Sequence, residues 1–448
     1  MLGPDYQRPE LEVPETYRQA IDEGESLANL PWWTLFRDPK LVELVQVALE
    51  NNRDLLIAAA RVEEYRALLG VSESRLWPEV NAAASAGRAR NSRNSLPGGL
   101  LGDPVDQYRV GAEVFFEVDL FGRLRRSNEA ARAQLLATEE ARVALTISLV
   151  ASVAEAYMRL RDLDQRFEIS GRTRNARAES LEIISARYDK GTVPLLDVNQ
   201  AEIELAVAEG SVSAAERAMI QTENALSILL GQNPGPIERG VALSDQVLPP
   251  SVPAGLPSEL LQRRPDVRVA EAELAAQTAR IGVAEAARWP SLSLTGALGL
   301  ESSELSDLSN SGSEYWGVGA GLFAPLFNAG RNARQVEAEE ARTEQLMQAY
   351  LQTVQSAFKE VEDSLVAVRT YRTEYDARER QVTAARSAAM LSRARYDGGV
   401  TSYLEVLDTE RSLFGSELAQ SEALASYTIA IIRLYKALGG GWSPVDGD

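Results

Sequence analysis

The sequence contains no cysteine and no histidine. Without cysteine there are no disulfides and no thiol nucleophiles, and without histidine there are no Ser-His-Asp triads. The two absences together remove nearly all zinc and haem sites, which depend on imidazole and thiolate ligands. Carboxylate catalysis and oxygen ligation of hard cations remain, but no motif marks a pocket for either. We therefore predict no catalytic residues, no metal site, no cofactor and no enzymatic activity.

Basic residues are outnumbered, with 46 Lys and Arg against 65 Asp and Glu and a formal net charge of −19. Nucleic-acid binding needs clustered basic side chains, so no nucleic-acid partner is expected. No run of about 18 apolar residues is present, and we expect no membrane-spanning helix. The start, Met1 to Tyr6, lacks the basic and apolar regions of an export signal. Composition alone favours an acidic, soluble, helical protein.

The chain contains an internal repeat. Residues 186–191 (ARYDKG) recur as residues 394–399 (ARYDGG), an offset of 208 positions. Matching Trp-Pro and Gly-Arg pairs occur in the same order in both halves, at Trp77-Pro78 and Trp289-Pro290 and at Gly122-Arg123 and Gly330-Arg331. Several matches in one order indicate two copies of one design.

Each half is predicted to contain a helix, two strands and a long helical hairpin, with a Pro-rich linker between the halves. The first helices are expected at about 39–70 and 258–288, each followed by a Trp-Pro stop. The predicted segments are an N-terminal extended segment 1–38; a first repeat 39–231 with strands 79–90 and 108–119 and hairpin 123–231; a linker 232–257; a second repeat 258–439 with strands 291–300 and 315–325 and hairpin 331–439; and a tail 440–448.

The predicted strands alternate apolar and polar residues. In 108–119 the residues Val110 to Val118 at every second position share one face, with Phe115 an exception on the other. Ser291 to Leu300 alternates in the same way. The pattern fits a soluble hairpin sheet, which it favours, or membrane strands tilted about 45°. Four strands cannot close a barrel, so the membrane alternative requires strands from other protomers.

The long helical stretches lack proline, and each would extend about 100 Å at 1.5 Å per residue. Apolar residues from Val143 to Tyr157 recur at spacings of four and three, as in a coiled coil. The period does not distinguish a soluble antiparallel rod from a wall of helices curved into a tube. Gly191, Gly398 and Gly399 mark the turns of the two hairpins, where the left-handed C-cap conformation explains glycine.

Several ordered motifs resemble the outer membrane factor (TolC-like) family, and most of all its OprM-type multidrug efflux lipoproteins. These motifs are PDYQRP at 4–9, FRDPKL at 36–41, NNRDL at 51–55, EVDLFGR at 117–123, LQRRPD at 261–266, WPSL at 289–292 and LYKALGGGW at 434–442. Lipoprotein members begin with an acylated cysteine just before the first motif. We expect that Met1 replaces a removed signal and that cysteine.

The resemblance implies a mixed α and β membrane protein. Four strands per protomer would form a twelve-stranded barrel in a homotrimer, and the hairpins would form a periplasmic tunnel. The expected function is a passive exit duct of a tripartite efflux system in the bacterial outer membrane, in contact with its lipid. The expected partners are a periplasmic adaptor and an inner-membrane pump. The alternative is a periplasmic coiled-coil structural or adaptor protein.

The resemblance also implies a constriction at the second hairpin tip. Leu404 and Asp408 lie four residues apart and share a helix face, with Glu405 beside them. Threefold symmetry would turn each residue into a ring, and converging carboxylates would attract cations.

A latch of the closed tip is also implied. Tyr396 matches a family tyrosine that helps to hold the tip closed, and Asp197 occupies the equivalent of the acidic position in the first half. The basic latch residue of some members is Thr401 here. Arg187 and Arg395 are candidates for bridging neighbouring helices, with a solvated helix face as the alternative.

Overall fold

A computed structural model describes residues 1–11, 13–14, 16–18, 32–90, 104–247 and 257–440. Parts of the predicted N-terminal segment, of the linker and of the tail lie outside these ranges. The chain forms two compact units. Unit 1 comprises Met1–Glu10, Arg61–Glu139 and Val269–Leu351; unit 2 comprises Leu11–Ala60, Glu140–Arg268 and Gln352–Asp448.

Unit 1 contains a four-stranded antiparallel sheet in the order β1-β2-β3-β4. The strands are β1 Glu79–Ala89, β2 Val105–Val118, β3 Ser291–Ser302 and β4 Glu314–Phe323. β2 therefore begins before the expected residue 108, and β4 ends before the expected residue 325. Within the described residues, β1 and β4 each pair with one neighbour and leave an open edge.

The strand register confirms the predicted alternation, because Cα partners in an antiparallel pair point to the same face. One face carries apolar side chains and a single glycine over its central part. This apolar face comprises Val80, Ala82, Ala84 and Ala86 in β1; Val110, Ala112, Val114, Phe116 and Val118 in β2; Leu292, Leu294, Gly296, Leu298 and Leu300 in β3; and Trp316, Val318, Ala320 and Leu322 in β4. Trp316 and Val318 are 78% and 81% exposed. The sheet thus presents an apolar surface that the described residues leave uncovered at Trp316 and Val318.

The opposite, polar face mixes charged, hydroxyl and small residues. Its polar members are Glu79, Asn81, Ser85, Gln107, Arg109, Glu113, Glu117, Ser291, Ser293, Thr295 and Glu301. Arg109 and Glu301 are direct cross-strand partners and form an ion pair of 2.6 Å. Phe115 lies on this face, as the sequence pattern indicated.

Eight helices account for most of the remaining described residues. They are α1 Pro39–Asn51, α2 Arg53–Ser74, α3 Arg123–Asp189, α4 Leu195–Leu229, α5 Pro257–Arg263, α6 Pro265–Ala286, α7 Arg331–Asp397 and α8 Tyr403–Ala437. α3 and α7 each have 67 residues, and α4 and α8 each have 35. Short 3-10 turns include Trp32–Phe36.

The expectation of one unbroken helix at the start of each half is wrong. Asn52 has an extended backbone between α1 and α2, and its side-chain oxygen accepts a hydrogen bond from Leu55 N at 3.0 Å. This capping interaction starts a new helix at Arg53. In the second half Pro265 begins α6, because proline is favoured at the first helical position and disfavours helix at the residue before it.

The expectation of no membrane-spanning helix stays a prediction, with one candidate stretch among the described residues. α3 contains an 18-residue stretch that is long and apolar enough to cross a membrane by length and composition alone. A buried core helix meets the same criterion, and 56% of this stretch is buried inside the protein. Ile147, Val150, Ala154 and Tyr157 of the predicted coiled-coil seam are all buried. The stretch therefore fits a core helix better than a membrane span.

The main core of unit 2 lies where α3 and α8 meet α1 and the turn at Trp32. Trp32 stacks on Tyr435 with ring centroids 5.6 Å apart, and both side chains are fully buried.

The buried carboxylate of Asp38 accepts hydrogen bonds from several segments of this core. Its side chain is 0% exposed and accepts hydrogen bonds from five donors. The donors are Lys40 N at 2.9 Å, Leu41 N at 3.4 Å, Tyr157 Oη at 2.9 Å, Val241 N at 3.1 Å and Gln246 Nε2 at 2.9 Å. Asp38 thereby caps α1 and fixes the segment after α4 to the helical core.

We expect Asp38→Ala to lower the free energy of unfolding by about 3 kcal/mol, because several buried donors lose their acceptor. The measurement is denaturation followed by circular dichroism on detergent-solubilised protein. Asp54→Ala is the matched control, since Asp54 lies exposed in the first turn of α2. Equal stability of the two variants would contradict this account of Asp38.

Candidate functional site

The two hairpin turns of unit 2 have the same backbone geometry. Gly191 follows α3 with φ 72°, and Gly399 follows α7 with φ 69°. At both turns the helix ends with a backbone hydrogen bond between residues five positions apart. Thr192 N donates to Arg187 O at 3.0 Å, and Val400 N donates to Arg395 O at 2.9 Å. This is a Schellman C-cap, which needs a left-handed residue and favours glycine.

Gly398 is different. It is not among the residues with positive φ, so the expectation of a left-handed conformation is wrong for this position. A Cβ at Gly398 would lie 3.3 Å from Ala394 O, which is closer than ordinary van der Waals contact. The turn therefore needs only Gly399 for its backbone conformation.

Leu404 and Asp408 lie on the exposed face of the first two turns of α8. Leu404 is 55% exposed, and Asp408 is also exposed. Within the described residues, the Asp408 carboxylate has no hydrogen bond or ion pair. The helix therefore presents one apolar and one charged side chain together on its exposed face.

Glu405 is held inside its own hairpin. One carboxylate oxygen lies 3.5 Å from Arg395 Nε of α7, and the other accepts a hydrogen bond from the Thr401 hydroxyl. The side chains of Glu405 and Arg395 are 39% and 56% exposed. Glu405 is thus partly neutralised, whereas Asp408 keeps an uncompensated charge.

Tyr396 lies between the two hairpins. Its ring is 5.5 Å from the Tyr403 ring, and the Arg187 guanidinium of α3 lies 5.2 Å above its centroid. The Tyr396 hydroxyl is buried and hydrogen-bonds no described residue. Arg187 therefore bridges α3 to α7 through a cation–π contact, whereas Arg395 bridges α7 to α8.

Asp197 occupies the first turn of α4, beside the exposed Leu196. Burial raises the pKa of Asp197 above its usual value. Its carboxylate forms no hydrogen bond or ion pair with the described residues, Tyr396 and Thr401 included. The structure of one chain therefore does not bring Asp197 and Tyr396 together through a polar contact.

A small apolar cluster supports both tips. Ile184, Ala201, Tyr403, Val406 and Leu407 are buried together, with one or more members from α3, α4 and α8. Burial, and to a lesser extent the nearby Glu410, raises the pKa of Tyr403 to about 12. This cluster packs the first hairpin against the helix that carries Leu404 and Asp408.

Sequence reasoning missed a set of charged residues behind this cluster. Glu204 of α4 is 5% exposed, and Arg177 of α3 is equally buried. Arg177 lies 3.0 Å from Glu204 Oε2, and the Arg411 Nε of α8 lies 2.5 Å from Oε1. Burial lowers the pKa of Arg177 despite this pairing. The available signal was position, since Glu204 shares a helix face with the buried Ala201 and Ala208.

A second acid lies close to these residues. Burial raises the pKa of Glu410, although Arg393 at 3.7 Å and Arg177 both lower it. Within the described residues, no group of three or more acidic side chains has the geometry to hold a metal ion.

The sequence profile of the outer membrane efflux protein family matches residues 44–232 and 256–440. The toluene efflux pump outer membrane protein TtgI of Pseudomonas putida is 38% identical over 451 residues, covering 99% of this chain and 95% of the relative. The cation efflux system protein CusC of Escherichia coli is 34% identical over 446 residues, covering 98% and 96%.

The solved open state of the MtrE outer membrane channel of Neisseria gonorrhoeae has the same fold. It superposes with a TM-score of 0.89 at 33% sequence identity, covering 98% of each chain. The family resemblance drawn from the motifs is thereby confirmed. The chain belongs to the outer membrane efflux protein family and is an outer-membrane channel component of an efflux system.

Proposed function

We propose that three copies of this chain form a passive exit duct through the outer membrane. The observation that carries the proposal is the sheet, which has an apolar face, a polar face and two open edges. Unpaired backbone groups cannot face lipid, so each edge must pair with a strand of another copy. Four strands in each of three copies form twelve, with the apolar face toward lipid and the polar face toward the lumen.

Aromatic residues support this orientation, because Trp and Tyr concentrate at membrane interfaces. Trp77 precedes β1, Phe121 follows β2, Trp289 precedes β3 and Phe327 follows β4. All four lie at the end of the sheet where strands join helices. Trp77 and Phe327 are 73% and 90% exposed, and Phe121 stacks on Trp289 at 5.3 Å. We place this end at the periplasmic membrane interface.

The N-terminus lies at the same end of the sheet. Leu2 N donates to Phe121 O at 3.1 Å, and the fully buried Arg126 binds Leu2 O at 3.1 Å and Asp5 at 2.7 Å. A lipid anchor attached at this point would enter the membrane beside the aromatic residues.

The long helices supply the periplasmic tunnel. α3 and α7, at 67 residues each, extend about 100 Å. The equal lengths of α3 and α7 and of α4 and α8 support duplication of one unit, with repeats at 39–231 and 258–439. We propose that an adaptor opens the tunnel tip and that an inner-membrane pump supplies the energy, since the duct does no chemistry of its own.

The cargo follows from the duct architecture. One relative's name specifies toluene and another specifies cations. Such different cargoes fit a channel that contacts its solutes weakly, so we assign drugs and other small molecules to this chain as a class. A periplasmic coiled-coil or adaptor function is not favoured, because the family match extends over both halves of the chain.

Leu404 and Asp408 form the proposed constriction. Their exposure on one face of α8 supports this assignment, and threefold symmetry gives one apolar and one acidic ring. Glu405 contributes less, because Arg395 and Thr401 hold its carboxylate within the hairpin. Tyr396, Asp197, Arg187 and Arg395 remain the proposed latch residues.

The orientation of the sheet is tested by two adjacent alanines in the middle of β1. Ala82 lies on the apolar face and Ala83 on the polar face, and both are exposed. We expect Ala82→Lys to prevent most membrane assembly, because lysine facing lipid costs about 2–4 kcal/mol per chain near the bilayer centre. Ala83→Lys is the matched control and should assemble normally. Trimer recovered from outer-membrane fractions is the measurement, and loss with Ala83→Lys alone would reverse the assigned faces.

The constriction is tested in planar bilayers. We expect Asp408→Ala to raise single-channel conductance and to weaken block by divalent cations on the order of tenfold, because three converging charges are removed. Asp376→Asn is the control, since Asp376 is an exposed acid on α7 outside the tip. Conductance and block unchanged from wild type would remove Asp408 from the constriction.

A further inference from the structure

One buried carboxylate behind the tip joins helices of both hairpins. Glu204 of α4 is bound on one side by Arg177 of α3, which donates to the Glu204 carbonyl at 2.7 Å and lies 3.0 Å from Oε2. On the other side, Arg411 Nε of α8 donates to Oε1 at 2.5 Å. The Arg177–Glu204 pair lies within the first hairpin, whereas the Arg411–Glu204 pair connects the first hairpin to the second.

Arg411 lies on α8 close to the proposed constriction residues. Arg411 lies three residues after Asp408, so the two side chains are neighbours on the helix surface. A fixed Arg411 therefore sets the rotation of the turn that carries Asp408. Leu404, four residues before Asp408, turns with it.

Burial of Glu204 strengthens this connection. The Glu204 side chain is 7% exposed and the Arg411 side chain is 46% exposed, so solvent screens the pair from the Arg411 side only. The Arg177 guanidinium also lies 5.1 Å above the Phe414 ring, one turn further along α8. A second ion pair between the hairpins, Arg172 of α3 with Glu417 of α8 at 2.7 Å, lies six residues beyond Arg411, and the Arg393–Glu410 pair at 3.7 Å lies within the second hairpin.

We propose that Glu204 is a positioning residue of the constriction, which it controls through Arg411. The pair holds α8 against the first hairpin with Leu404 and Asp408 directed to the pore axis, and its release widens the tip. This inference rests on the proposed exit duct, because it explains what sets the width of the duct at its tip. Glu204 is 5% exposed, so it acts on the constriction through Arg411 rather than on the solute itself.

Arg411→Gln tests the connection and keeps the fold. It removes the contact with α8 but leaves the buried Glu204 paired with Arg177, so no isolated charge is created. Arg411→Lys retains the charge and should restore most of the effect. Arg386→Gln is the matched control, because it removes an arginine that bridges α7 to Glu417 of α8, while Arg172 of α3 still binds Glu417 at 2.7 Å.

In planar bilayers, we expect Arg411→Gln to raise the ratio of open to closed dwell times by about tenfold, the effect of one charge-assisted hydrogen bond lost from the closed tip. Arg411→Lys and Arg386→Gln should stay close to wild type. The melting temperature of each trimer is measured in parallel. A structural role alone would lower the melting temperature of Arg411→Gln and leave its dwell times unchanged.

Two results overturn the proposal in different ways. If the wild type conducts and Asp408→Ala changes the block, but Arg411→Gln has wild-type dwell times, the positioning role of Glu204 fails and the duct stands. If the wild type forms no channel in the bilayer, the exit duct itself fails and the positioning role fails with it.

Discussion

Backbone hydrogen bonding at the edges of the sheet is the constraint on which the proposed architecture depends. Within the part of the chain that the structure describes, β1 and β4 each leave one edge unpaired, and the apolar face between them carries exposed Trp316 and Val318. Water could hydrogen-bond to the backbone groups of the open edges, but it would leave the apolar face exposed to solvent. Lipid would cover the apolar face, but it could not hydrogen-bond to the edges. Closure by other copies of the chain satisfies both, and for this reason we regard the assembled barrel, rather than the chain, as the stable unit.

The helices carry the second part of the architecture. α3 and α8 build the core of unit 2 with α1, and Asp38 secures the segment after α4 to that core. This packing leaves the hairpin tips dependent on a small cluster around Tyr403 and Val406. The tips combine a small apolar cluster with buried charged residues, and regions with few buried apolar contacts open at a lower free-energy cost than a large core. A proposed gate at such a position can open without disturbing the core.

The polar residues of the tip divide into two groups by their environment. Asp408 is exposed and without a partner in the described residues, which suits a side chain that meets passing ions. Glu204, Arg177 and Arg411 are paired around one buried carboxylate, which suits a side chain that fixes helix orientation. Glu405 belongs with the second group, because Arg395 and Thr401 occupy its oxygens. Charge alone does not distinguish these groups, whereas burial and pairing do.

The sequence by itself determined the elements that depend on local chemistry. The alternation around Val114 and Leu294 predicted the strands and their faces, and the repeated ARYD segments located the hairpin turns. The family resemblance directed attention to Leu404 and Asp408 as constriction residues, which stays a prediction. The local sequence also determines the helix breaks at Asn52 and Pro265. The prediction of one unbroken helix in each half overlooked the capping oxygen of Asn52 and the proline at the start of α6.

Only the tertiary structure decided the interactions between residues far apart in the chain. Glu204 and Arg411 are separated by 207 positions, and nothing in either neighbourhood marks them as a pair. Three of the donors around Asp38, namely Tyr157, Val241 and Gln246, lie more than 100 positions away in the chain. Such contacts follow from the packing of whole helices, because helical periodicity specifies which face is buried but not which residue of a neighbouring helix meets it.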